Sequence, residues 1–213
     1  LQIAQARRVF GPQVPEASTD QRHNFNLVIQ TLDEASAQQE ARRCLQCDLL
    51  CNVCTTVCPN RANMTYSLDP IEYCVQQVVP NGNDTRIEEL EKISIAQPFQ
   101  IINIGDFCNE CGNCTTFCPT NGAPYRIKPK FYLTLESFEN EQNGYMFAGS
   151  TLMAREDGRS ESLIRNADHL IYETPDIRAR MNLKTFRVEE ATIRSDTDSP
   201  IDLHPAARMA ILY

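Results

Sequence analysis

Hydrophobic and polar positions alternate in blocks along this chain. Residues 1–30 mix a short basic-apolar stretch with Gly11-Pro12 and Pro15 before Asn24-Phe-Asn-Leu-Val-Ile-Gln30, which predicts an extended lead-in. From Leu32 to Arg43 helix formers dominate, with acid at the start and arginine at the end. That is the polarity a helix dipole favours, and it predicts a helix. Asp69-Pro70 to Val79-Pro80 predicts a short element closed by the turn Asn81-Gly82-Asn83-Asp84, and Arg86 to Ile93 an acidic helix. Phe99–Ile104 and Lys130–Leu135 predict strands. From Tyr145 onward the chain is mixed and polar, and Leu183–Ile193 alternates weakly enough for a strand or two. The expected architecture is α+β. It has an extended lead-in and helix over 1–43, a domain over 44–135 with an insertion at about 65–96, and a small β-containing or partner-docking tail over 136–213.

Length and charge narrow the class. A chain of 213 residues can bury a core without covalent staples. A net charge of -8 and an isoelectric point near 4.9 argue against nucleic acid as a partner, because phosphate binding needs a basic face. Leu1–Arg8 lacks the apolar core and cleavage site of a secretory signal, and no stretch approaches the roughly 18 apolar residues of a membrane helix. The expectation is a cytoplasmic protein without membrane insertion.

Chemistry is concentrated in the cysteines. Nine of the ten fall into two runs. Cys108, Cys111, Cys114, Cys118 and Pro119 match the C-x2-C-x2-C-x3-C-P arrangement that wraps a cubane iron–sulfur cluster. Sixty residues earlier, Cys51, Cys54, Cys58 and Pro59 repeat it. The position equivalent to Cys108 is Asp48, so the remaining thiolate comes from Cys47 or Cys44. In two-cluster ferredoxins the fourth cysteine of each run ligates the other run's cluster. That rule assigns Cys108, Cys111, Cys114 and Cys58 to one [4Fe-4S] cluster. It assigns Cys51, Cys54 and Cys118, with Cys47 or the alternative Cys44, to the other, in a ferredoxin-like core.

Rival readings fit less of the pattern. A disulfide framework suits neither the crowding nor the compartment. A structural zinc scaffold wants two C-x2-C pairs separated by a longer loop. Cys47-x3-Cys51-x2-Cys54 has the spacing of radical S-adenosylmethionine enzymes, yet no glycine-rich cofactor-binding stretch follows it and Cys58-Pro59 supplies a closing ligand. Cys74 stands apart and reads as a small apolar filler. His23, His169 and His204 have no second ligand at metal spacing, which predicts surface or capping roles. No G-x-G-x-x-G follows a strand candidate, and no acid–base pair or activated nucleophile accompanies the cysteines. No residue is therefore assigned a catalytic role.

Glu40-Ala-Arg-Arg-Cys-Leu-Gln-Cys47 resembles the iron–sulfur segment of the glutamate synthase small subunit and dihydropyrimidine dehydrogenase family. A wider set of runs resembles the carboxy-terminal, two-cluster region of the proteins described as selenate reductase subunits: Arg43 through Asn63, Gln97-Pro-Phe-Gln-Ile-Ile102, and Phe107 through Pro119. The resemblance covers roughly residues 30 to 135. It implies an electron-transfer module that relays single electrons between an NAD(P)H-linked flavoprotein and another redox centre. The FAD would lie on a partner chain or a further domain, and molybdenum-type oxidoreductase subunits would be partners.

Overall fold

The computed structural model describes residues 9–43, 51–82 and 84–213, which form two compact units, Leu1–Cys51 and Asn52–Tyr213. In the first unit, Glu16 and Ile29 form an isolated antiparallel bridge, flanked by Ala17 N–H donating to Val28 O (2.8 Å) and Gln30 N–H donating to Pro15 O (2.8 Å). Helix α1 (Glu34–Arg42) follows as predicted. Asp33 caps it by accepting from Ser36 N at 2.7 Å, so an orphan donor of the first turn is satisfied. Burial reaches none of the described residues before Asn52.

The second unit begins with one helical turn, α2 (Val53–Thr56), and strand β1 (Asn63–Ser67). A long hairpin follows, β2 (Ile71–Asn81) and β3 (Asp84–Ile95), and then β4 (Phe99–Ile104). Two further turns, α3 (Asn113–Thr116) and α4 (Pro124–Ile127), lead to β5 (Lys130–Phe131) and α5 (Leu135–Glu139). The remainder is β6 (Gly144–Ala148), β7 (Thr151–Glu156), β8 (Arg159–Arg165), β9 (His169–Glu173), β10 (Ile177–Asn182), β11 (Val188–Ile193), β12 (Ile201–Asp202) and helix α6 (His204–Leu212).

Nine strands form one sheet in the order β1-β4-β5-β6-β7-β8-β9-β10-β11, and β12-β2-β3 form a second. Among the described residues, only β4–β5 and β5–β6 are parallel pairs. The main core sits between the sheets and α6, and period-two alternation builds it. On β10, Ile177, Ala179 and Met181 are buried while Arg178 and Arg180 face out. A bulge between Val75 and Gln76 re-aims β2. Gln76, itself buried, then accepts Val188 N at its side-chain oxygen (2.7 Å) and Leu203 N at its carbonyl (3.2 Å), which ties the hairpin to β11 and to the start of α6.

Several elements differ from their sequence expectations. Arg86–Ile93 is a strand, not a helix: β3 pairs with β2 from Asn81↔Asp84 to Ile71↔Ile95, and that ladder outweighs the helix propensity of its glutamates. The strand expected over Lys130–Leu135 stops at Phe131, because Thr134 accepts Ser137 N at 3.1 Å and starts α5 instead. Residues 136–213 are no small tail. They supply β6 to β12, α6 and most of the core, and the pairing of β5 with β6 carries the nine-stranded sheet across the boundary at residue 135. Among the described residues no helix is long and apolar enough to cross a membrane.

Candidate metal centre

The two cysteine runs fold alike, hydrogen bond for hydrogen bond. Thr55 N donates to Asn52 O at 2.9 Å, and sixty residues on Thr115 N donates to Gly112 O at 2.9 Å. Val57 N to Val53 O (3.0 Å) is repeated by Phe117 N to Asn113 O (3.1 Å), and Arg61 N to Cys58 O (3.2 Å) by Asn121 N to Cys118 O (3.2 Å). Arg61 and Asn121 both adopt left-handed backbone, at φ 55° and 56°. Each turn ends with a main-chain amide on a sulfur: Ala62 N donates to Cys58 Sγ at 3.2 Å, and Gly122 N donates to Cys118 Sγ at 3.2 Å. Such N–H donors favour the thiolate, the form that ligates metal. Thr120 Oγ1 also lies 3.3 Å from Cys118 Sγ. The Thr120 hydroxyl first, and then the Gly122 amide, hold the Cys118 thiol below its usual range.

The repeat brings cysteines of both runs to one recess. Cys58, Cys108, Cys111 and Cys114 line it with Asn63 and Tyr125, and it is narrow, with a volume of about 10 Å³. Glu110 (φ 55°) and Gly112 (φ 81°) turn the chain sharply enough to bring Cys108, Cys111 and Cys114 to its wall. Cys54 and Cys114 are buried against Ile101, with Tyr125 packed beside them. Cys118 lies outside the recess, Cys51 belongs to the first unit, and Cys44 and Cys47 lie outside the described residues. Cys74 is half-buried on β2 opposite the exposed Lys92, on the strand face away from the buried Tyr73 and Val75 and outside the main core. Among the described residues no three His, Cys, Asp or Glu side chains meet closely enough to hold a single metal ion. A cubane asks for something else, four thiolates spaced around a cage with each on its own iron, and the donor set of the recess fits it.

Residues that carry no motif hold this arrangement. Asn63 Nδ2 donates to Cys54 O at 3.1 Å, and Asn103 Nδ2 donates to Asn63 Oδ1 at 2.9 Å, both amides being buried. Asp106 anchors the entry to the second run. Its carboxylate accepts Leu133 N at 2.8 Å and the Ser137 hydroxyl. Burial pushes its carboxyl up, but those hydrogen bonds outweigh burial and leave it below the usual range. The Tyr132 ring passes between Gly105 and Gly144, where any Cβ would collide with it. Its hydroxyl is pushed up to about 12, first by burial and then by Glu141, Asp106, Glu110 and Cys108, so it stays protonated beside the second run. The sequence offers no spacing signal for these four. Strand register and loop closure alone bring them to the cysteines.

The histidines hold no metal-like cluster among the described residues. His169 Nδ1 lies 3.2 Å from Glu189, and His204 bridges Asp202 and Glu91.

Comparison with known proteins gives one kind of relative. The chain is 34% identical over 128 residues to the proteins named "Putative oxidoreductase YgfK" of Escherichia coli K12 and O157:H7. The match covers 60% of this chain and 10% of theirs, so the chain spans about a tenth of the length of the curated relatives it matches. No protein-family model and no solved structure matches it. The chain is thus a partial homologue of proteins named as oxidoreductases, which agrees with a redox role.

Proposed function

We propose that this chain is an electron-transfer module holding two [4Fe-4S] clusters, which relays single electrons between an NAD(P)H-linked flavoprotein and another redox centre of an oxidoreductase complex. The observation that carries the reading is the meeting of Cys58 from the first run with Cys108, Cys111 and Cys114 from the second around one recess. That is the crossed pattern of ligands expected of two-cluster ferredoxins. Cys51, Cys54 and Cys118, with Cys47 or Cys44, would hold the second cluster. When bound, the clusters supply one-electron redox chemistry at potentials set by burial and by hydrogen bonds to sulfur.

The protein's own contribution is to bind, insulate and tune. Ile101 packs on Cys54 and Cys114 and keeps water from their sulfurs. The amides of Ala62 and Gly122 stabilise negative sulfur at the closing cysteine of each run. The similarity to proteins named as oxidoreductases supports a redox complex as the setting, and the flavin and its chain belong to this proposal rather than to any residue described here.

Protein purified without oxygen should contain about eight irons and as many acid-labile sulfides per chain. Zinc without sulfide would end the proposal in favour of a scaffold. Cleavage of S-adenosylmethionine by the reduced protein would replace the relay with an enzyme. Cys58→Ala should abolish the paramagnetic signal of the cluster held by Cys108, Cys111 and Cys114, and Cys118→Ala the signal of the other. If each variant lost its own run's cluster, the crossing would be wrong.

A further inference from the structure

A second cavity of the Asn52–Tyr213 unit shares Tyr132, Glu141 and Gly144 with the surroundings of the second cysteine run. It holds about 500 Å³, within the range of about 300–1,000 Å³ common for small-molecule sites. Arg126, Lys128, Lys130, Arg155 and Arg208 line it, against three carboxylates, Glu141, Glu156 and Glu161. Two of the cations are matched: Lys130 Nζ lies 3.2 Å from Glu110 Oε1, and Arg208 Nη2 lies 2.6 Å from Glu156 Oε2. The other three have no carboxylate at ion-pair distance among the described residues. Arg126 lies over the Tyr125 ring, 5.0 Å from its centroid. Arg155 makes one long contact, Nη2 to Gly158 O at 3.5 Å, and its buried Nε has no acceptor at all. Arg126 is exposed, but the buried Arg155 Nε left unmatched is costly, and an acceptor brought by a ligand would satisfy it.

Charge and shape point the same way. Burial pushes the Glu161 carboxyl up, although its hydrogen bond with Tyr172 opposes this. The chain as a whole has 28 acidic and 20 basic residues, yet this cavity concentrates positive charge and attracts anions. Tyr145 and Met209 give it an apolar floor as well. A bare inorganic ion gains nothing from such a floor, whereas a carbon skeleton does.

We infer that this cavity binds a small organic oxyanion, its phosphate or carboxylate held by Arg126, Lys128 and Arg155 and its carbon skeleton laid on Tyr145 and Met209. No cysteine lines this cavity, although Lys128 lies close enough to help lower the Cys118 thiol and Lys130 pairs with Glu110 of the cysteine recess.

Titration calorimetry on the full chain, with adenosine monophosphate, citrate and inorganic phosphate as probes, tests this. At least one organic probe should bind saturably and about tenfold tighter than inorganic phosphate; Arg155→Met and Lys128→Met should each weaken it by about tenfold, the loss of one charge-assisted contact. Preference for the nucleotide assigns the phosphate group, and preference for citrate the carboxylate. Lys128 is only half-buried, so Lys128→Met keeps the test decisive if circular dichroism shows that Arg155→Met disturbs the fold. Absence of saturable heat with all three probes, inorganic phosphate binding as tightly as the organic probes, or unchanged binding in Lys128→Met overturns the inference.

Discussion

Asn63 and Asn103 face each other in the β1–β4 register and connect the first cysteine run to the strand that enters the second. Each hydrogen bond satisfies a polar group that water does not reach, since Asn103 is 0% exposed and Asn63 4%. Asn63→Leu would remove the Asn63 donor from the Cys54 carbonyl and leave the Asn103 amide buried without its Asn63 acceptor. The expected loss is about 1–3 kcal/mol in urea unfolding of the holoprotein. Unchanged stability would remove the pair from any supporting role. Neither asparagine stands out in the sequence, because they are 40 positions apart and only strand register joins them. The cysteines, by contrast, are legible: ligand spacing is a local property, and the sixty-residue repeat is written in the chain itself.

At the scale of elements, the hairpin β2–β3 shows what composition hides. Its second strand carries three glutamates, a leucine and a lysine, which favour helices in isolation, but Ile87 and Ile93 pair with Val78 and Tyr73, whose side chains are buried in the core. The stronger signal was the turn, where Gly82 takes φ 64° and Asn81 pairs with Asp84. The outer end of this hairpin's sheet is clasped by His204 at the start of α6. Nδ1 lies 2.6 Å from Asp202 Oδ1 and Nε2 lies 2.7 Å from Glu91 Oε1, so the doubly protonated ring donates to both. The Glu91 contact first, then Asp202, raises the imidazole above its usual value despite some burial. A raised folded value means that the clasp contributes fully below about pH 6.5 and fades as pH rises through the higher folded value. His204→Gln should therefore lower the thermal midpoint near pH 6, by the equivalent of about 0.5–1 kcal/mol for so exposed a pair, and match the parent in alkali. A deficit that grew with pH would contradict this sign.

The whole molecule divides its chemistry unevenly between its two units. Every residue of the main core lies between Ile71 and Tyr213, and burial reaches none of the described residues before Asn52. The segment that sequence patterning marks as a tail is thus the bulk of the fold, because its period-two alternation is broken up by short loops and outward-facing arginines and reads weakly when taken one strand at a time. One set of proposed ligands, Cys58, Cys108, Cys111 and Cys114, also falls wholly within Asn52–Tyr213, whereas the other needs Cys51 and Cys47 or Cys44 from outside it. A fragment of residues 52–213 should accordingly unfold cooperatively, with a midpoint within about 4 °C of the parent, the shift that about 1 kcal/mol produces in a domain of this size. Its iron content should fall from about eight to about four, with one paramagnetic signal retained. Failure of the fragment to fold would sink the division into units. A folded fragment with no iron, or with all of it, would instead sink the two-cluster reading, because the crossed sets leave Cys58, Cys108, Cys111 and Cys114 behind when the first 51 residues are removed, and sets confined to one run would leave Cys108, Cys111, Cys114 and Cys118.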